Sequence, residues 1–123
     1  MPKTSEVFDF RKPVAYDGEA KRAFHSHARR RLKQVAAALG LSPDKYDLRS
    51  NLAGIAVSGE ITLHADYIYV QVSQSFTGCD TSILFRTCDG REDYVGGPNN
   101  FASLDLLNRP KELARRIKEV CGV

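Results

Sequence analysis

Between Glu19 and Asp44 the chain carries Lys21, Arg22, Arg29, Arg30, Arg31 and Lys33, with His25 and His27 among them, and not a single acid. Guanidinium and ammonium groups gathered in this way suit phosphates or an acidic protein surface. Arg22, Ser26, Arg29 and Lys33 recur at spacings of four and three, which places them on one stripe of a helix. A helix face that is merely solvated mixes signs for i,i+4 support, and this one does not. The plainer alternative is a surface helix whose late cations complement its own C-terminal dipole.

A second set of residues is aromatic. In the segment from Gly54 to Gln74, Tyr67 and Tyr69 fall on the polar side of an apolar alternation, with Ser58, Glu60, Thr62, His64, Gln71 and Ser73. Such a face can stack the bases of single-stranded nucleic acid, or can be an ordinary solvated sheet face where tyrosine serves β-propensity. Arg22, Arg29, Arg30, Lys33, Tyr67 and Tyr69 are therefore the candidate binding residues for nucleic acid or a protein partner.

Catalytic chemistry has no comparable signature. His25 and His27 are two apart, so on a helix they point to different sides and do not form a metal pair. His64 near Asp66 reads as a surface histidine at a turn. Glu60, Asp66, Asp80 and Asp89 have no pattern that fixes them at a shared depth. The turn-rich GGPNN, from Gly96 to Asn100, lacks the Lys-Ser/Thr pair of a phosphate loop. No catalytic residue, metal ligand or cofactor is nominated.

The elements that must position these groups follow from periodicity. Asp17 opens a helix as N-cap, Ala20, Phe24, Ala28, Leu32, Val35 and Leu39 form its apolar stripe, and Gly40 with Pro43 ends it. SPDKYDLRSN reads as a linker. A β-hairpin follows: Ile55, Val57, Ile61 and Leu63 alternate in one arm and Ile68, Val70 and Val72 in the other. A two-residue turn at Ala65-Asp66 would pair Leu63 with Ile68 and Ile61 with Val70.

SILFRTC reads as a third strand. Asp89-Gly90 is a hairpin signal into a fourth around Tyr94, with Phe85 facing Tyr94 and Arg86 facing Asp93. A short helical turn near Ser103 to Leu107 precedes a last helix from about Arg109 to Cys121, its stripe formed by Leu113, Ile117, Val120 and Cys121. The first sixteen residues, with Val7, Phe8, Phe10, Val14 and Tyr16, read as an extended arm laid on the body. The expected fold is α+β, an antiparallel sheet of about four strands with two helices on one face, order α-β-β-β-β-α, in a single domain over 1–123. The opposite sheet face would be open, to be covered by the arm or by a second copy in a homodimer.

Composition sets the bounds. A net charge of +3 over 123 residues is too small to mark a nucleic-acid binder by itself, so its distribution matters more. Cys79, Cys88 and Cys121 are odd in number and scattered, the pattern of reduced thiols and a cytosolic protein. No apolar run reaches the ~20 residues of a membrane span, and no signal-peptide core is seen at the N-terminus.

FRTCDGREDYVGGPNNF, taken with VFDFRKPVAYDG and GIAVSGEITLH, resembles small uncharacterised proteins encoded by tailed bacteriophages and prophages, over most of the chain. The resemblance implies no site residues. It implies a class of role in the host cytoplasm, handling nucleic acid or binding and disabling a host factor such as a defence nuclease. The expected function is a small non-catalytic accessory protein that engages nucleic acid or a nucleoprotein complex through the basic helix face. The alternatives are a protein-protein inhibitor of a host factor and a small metal-dependent hydrolase or nuclease.

Overall fold

A computed structural model describes residues 8–74, 83–93 and 96–122. Helix α1 spans Gly18–Ala38. It begins where Asp17, in an extended conformation, accepts a hydrogen bond from the Ala20 amide through its side chain. It ends in a Schellman turn: Gly40 takes φ +83°, its amide bonds the Ala37 carbonyl, and the Leu41 amide reaches back to that of Ala36. Both boundaries are thus dictated by capping chemistry legible in the sequence. The expected apolar stripe, from Phe24 and Ala28 through Leu32 and Val35 to Leu39, is buried.

Five strands form one antiparallel sheet in the order β1 (Tyr46–Asn51), β2 (Glu60–Ala65), β3 (Ile68–Val72), β4 (Ile83–Thr87) and β5 (Asn100–Ala102). Every neighbour in the sheet is a neighbour in sequence. The architecture is α+β, as expected, with one strand more. The extra strand, β1, lies in the supposed linker, after a single 3-10 turn at Pro43–Lys45.

Two features of the hairpin differ from expectation. Ile55 and Val57 precede β2 in a loop, with Ile55 exposed, so the first arm is shorter than its alternation suggests. The register places Leu63 opposite Val70 and Ile61 opposite Val72, two residues from the expected pairing. The turn is Asp66-Tyr67. Parity is preserved, which is what burial of one face requires.

The Asp89-Gly90 signal opens the connection from β4 to its antiparallel neighbour β5. The Asp93 amide bonds the Gly90 carbonyl, while the Asp93 carboxylate accepts from the Asp89 and Gly96 amides. In the described register Asn100 of β5 stands opposite Phe85, and on the β3 side Arg86 lies across from Tyr69. Tyr94 is outside the described residues, as are Val7, Cys79 and Asp80.

The sheet buries one face against the helices. Ile61, Leu63, Val70, Val72, Ile83, Phe85 and Ala102 meet Phe24, Ala28, Leu32 and Val35 of α1 and Leu113, Ala114 and Ile117 of α2 (Pro110–Cys121) in one continuous core. Each large side chain buried there contributes about 1.5–3 kcal/mol. Val120 is exposed, so the apolar stripe of α2 is narrower than expected and is completed by Ala114. The helical turn before it, Leu104–Asn108, is capped by Ser103.

The arm joins the same core through Phe10 and Val14, while Tyr16 stays exposed. Two side chains hold it. Asn108 accepts from the Phe8 amide and donates to its carbonyl; Gln74 donates to the carbonyls of Phe10 and Lys12 and accepts from the Val14 amide.

The second sheet face is not the open surface expected. Thr62, His64, Tyr69 and Arg86 are buried there. The loop after β4 folds onto this face, where the Gly90 carbonyl meets His64 and Gly96 packs so tightly on Arg86 that a Cβ would lie 2.7 Å from its Nε. A homodimer through an open sheet face loses its premise on this side.

Candidate nucleic-acid interface

The structure divides the cations of α1 into two sets. Lys21 and Arg31 are buried: the Lys21 ammonium donates to the Gly54 carbonyl at 2.7 Å, and an Arg31 guanidinium nitrogen donates to the Gln34 side chain at 3.1 Å. These two belong to the fold and leave the expected basic face. Arg22, Arg30 and Lys33 are exposed, with Ser26 among them, and Arg29 is half-buried, one guanidinium nitrogen reaching the Leu48 carbonyl of β1 at 3.4 Å. Arg22, Arg29 and Lys33 share the stripe that their spacing sets.

Several arginines elsewhere on the surface are compensated by acids, while Arg109 and Arg116 are not, among the described residues. Arg11 pairs with Asp105, Arg49 with Asp47, Arg91 with Asp47 and Asp66, and Arg115 with Glu112 and Glu119. Among the described residues no acid lies within ion-pair distance of Arg22, Arg29, Arg30 or Lys33. Their charges face solvent uncancelled, along about 16 Å of helix from Arg22 to Lys33 at 1.5 Å per residue.

The tyrosines are placed elsewhere. Tyr69 lies on the sheet face away from α1, buried, its hydroxyl donating to Gln71 and its ring covered by the Arg86 guanidinium at 4.0 Å. The π-face available for a base is already occupied by a cation. Tyr67 sits in the β2–β3 turn and packs partly against the core. Neither adjoins the basic stripe, so both leave the candidate interface.

Exposed apolar groups instead gather at the N-terminal end of α1. Tyr16 and Ile55 are 72% and 69% exposed, Leu52 is 46%, and the Tyr16 amide bonds the Ile55 carbonyl at 2.7 Å. Together with Gly18 and Arg22, Leu52 and Ile55 line a shallow cleft of about 250 Å³.

No protein-family model, curated protein or solved structure matches the chain. What the site can do therefore rests on its own geometry.

Beside the stripe, between α1 and the end of β1, lies an arrangement that sequence reading missed. His25 is buried, its Nε2 2.7 Å from the Ser58 carbonyl and its Nδ1 2.5 Å from the Ser50 hydroxyl. A carbonyl only accepts, so Nε2 carries the proton and Nδ1 accepts from Ser50. Burial pushes the pKa of His25 down, opposed by the Ser58 carbonyl and reinforced by Lys21 and Arg29. The ring is thus a neutral brace joining α1 to both ends of the β1–β2 connection. Gly59 packs directly on it.

His64, expected at the surface, is fully buried. Its Nε2–H donates to the Gly90 carbonyl at 3.0 Å and its Nδ1 accepts from Arg49 at 3.2 Å. Burial again lowers its pKa first, with the Gly90 carbonyl opposing. Asp66 is held by Arg91, and among the described residues no three His, Cys, Asp or Glu side chains gather at metal-binding distance. Cys88 and Cys121 are free thiols whose pKa values burial raises, away from nucleophilic reactivity. No described helix is long and apolar enough to cross a membrane.

Proposed function

We propose that the chain is a small non-catalytic binding protein of the phage accessory type, which engages nucleic acid through the solvent face of α1. The observation that carries this reading is the gathering of four cations, Arg22, Arg29, Arg30 and Lys33, on one helix with no acid of the described residues at ion-pair distance. Among the described residues Arg109 and Arg116 also stand without an ion pair, but α2 carries Glu112 and Glu119 among its cations. Such a face gains affinity by releasing counterions from phosphates and carries no base readout of its own. Specificity for sequence is low.

Four phosphate contacts give a log-log salt slope of about −3.6 on duplex DNA and about −2.8 on a single strand. Fluorescence-anisotropy titration of labelled DNA and RNA at two salt concentrations reads this slope directly. An Arg22→Ala, Arg29→Ala, Lys33→Ala variant is expected to lose binding while keeping its thermal stability within about 1 kcal/mol, since surface changes have small effects. Salt-independent affinity, or full binding by the triple variant, defeats the reading. Absence of binding to any nucleic acid at low salt directs the search to an acidic protein partner.

A further inference from the structure

Resting on the basic-face reading, we infer that the cleft between the start of α1 and the loop before β2 is a base-stacking subsite, and that the ligand is single-stranded nucleic acid. Among the described residues, three of the five exposed large apolar side chains, Tyr16, Leu52 and Ile55, gather at this one end of the cationic stripe. Arg22 bridges the two features. It begins the stripe, and its guanidinium folds back so that a Cβ on Gly18 would lie 3.6 Å from it, in the cleft wall.

The cleft is held open by backbone conformations that cost energy. Tyr16 and Ala53 are the two non-glycine residues with positive φ among those described, at +66° and +56°; Ala53 lines the cleft, and Tyr16 adjoins it through its neighbour Asp17 and its amide bond to the Ile55 carbonyl. Residues other than glycine adopt this region rarely and at a cost. Here it presents an aromatic ring outward. The loop is fixed from behind by Lys21 on the Gly54 carbonyl and by the Tyr16 amide on that of Ile55, so little ordering remains for a ligand to impose.

Charge decides which part of a nucleotide enters. Of the charged groups lining the cleft, Asp17 caps the helix and the Lys21 ammonium is engaged by the Gly54 carbonyl, which leaves Arg22 to draw a phosphate to the cleft edge and onward to Arg29 and Lys33. The apolar rim takes the base, whose flat face stacks on Tyr16. In a duplex that face is already covered by its neighbours, whereas a single strand offers it freely.

The test compares a fluorescein-labelled 12-nucleotide oligothymidine with a 12-base-pair duplex, by anisotropy in 50 mM salt, on the full chain. Wild type is expected to prefer the single strand. Tyr16→Asn, chosen because asparagine tolerates the left-handed backbone, should weaken single-strand binding about 5- to 100-fold. It should leave duplex binding unchanged. Tyr16→Phe should bind as wild type, and Ile55→Ser should follow Tyr16→Asn with a smaller loss. If Tyr16→Asn and Ile55→Ser leave single-strand affinity intact, or lower both affinities equally, the stacking subsite is overturned while the basic face stands. If wild type binds neither probe, the basic-face reading falls and this inference with it.

Discussion

Mild acid should destabilise this protein in a window set by two buried histidines. Each ring has both nitrogens committed, Nε2–H to a carbonyl and Nδ1 to a donor, and burial lowers the pKa of each below the ordinary 6.5. In the unfolded chain the same groups take up protons through 6.5. The unfolded state therefore binds more protons as pH falls, and stability, complete above 6.5, is lost below it until the folded value is reached.

From pH 7 to 5.5 the loss is at most about 1.2 kcal/mol per histidine, reached when the folded ring stays neutral throughout. The two should differ. A proton on Nδ1 of His64 would face the Arg49 guanidinium, which can only donate. One on Nδ1 of His25 meets the Ser50 hydroxyl, which can rotate and accept. His64 thus contributes the larger share.

Urea denaturation followed by circular dichroism at pH 7.0, 6.0 and 5.5 measures this for wild type, His25→Asn and His64→Asn. The slope with pH should fall most in His64→Asn and nearly vanish in the double variant. A flat profile in wild type, or an unchanged slope in the double variant, refutes the assignment of neutral braces.

Two glycines separate conformational cost from steric cost. Gly40→Ala, with no atom near its Cβ position, should lose about 1 kcal/mol for the left-handed backbone alone. Gly59→Ala would place a methyl 2.3 Å from the Asn51 carbonyl oxygen and 2.9 Å from Nε2 of His25, and should lose at least about 3 kcal/mol in the same denaturation assay. Gln74→Ala removes three bonds to the arm and should lower stability by about 1–3 kcal/mol, with amide exchange at Val14 accelerating more than in α1.

Local chemistry was legible where one element contains its whole cause. The caps of α1 and the parity of the β2–β3 hairpin are of this kind. β1 was not, because Tyr46 and Leu48 alternate with Asp47 and Arg49 for too few residues to outweigh their charge, although that alternation was the available signal. The division of the helix cations was also within reach: Lys21 stands three residues before Phe24 and seven before Ala28, a phase that places it on the buried side. Composition drew attention to its charge, and phase settled its location. The Ser50–His25 and Arg49–His64 pairs join residues 25 and 15 apart in sequence, the first through the packing of α1 beside β1 and the second through the antiparallel pairing of β1 with β2, a strand pair not among those expected. Tyr69 was assigned to the correct face, but its burial depends on Arg86 and the loop beyond it.

The sheet has two ends, and neither offers a template for a further strand. β5 is only three residues long. β1 carries Asp47 and Arg49 at its rim, and the Leu48 carbonyl already receives the Arg29 guanidinium from α1. Exposed strand edges are where chains add to one another and seed fibrils, and short or charged edges prevent it. Arg29 thus protects against self-association at the border of the sheet. Its replacement, beyond any effect on a ligand, should be watched for filament growth on prolonged storage.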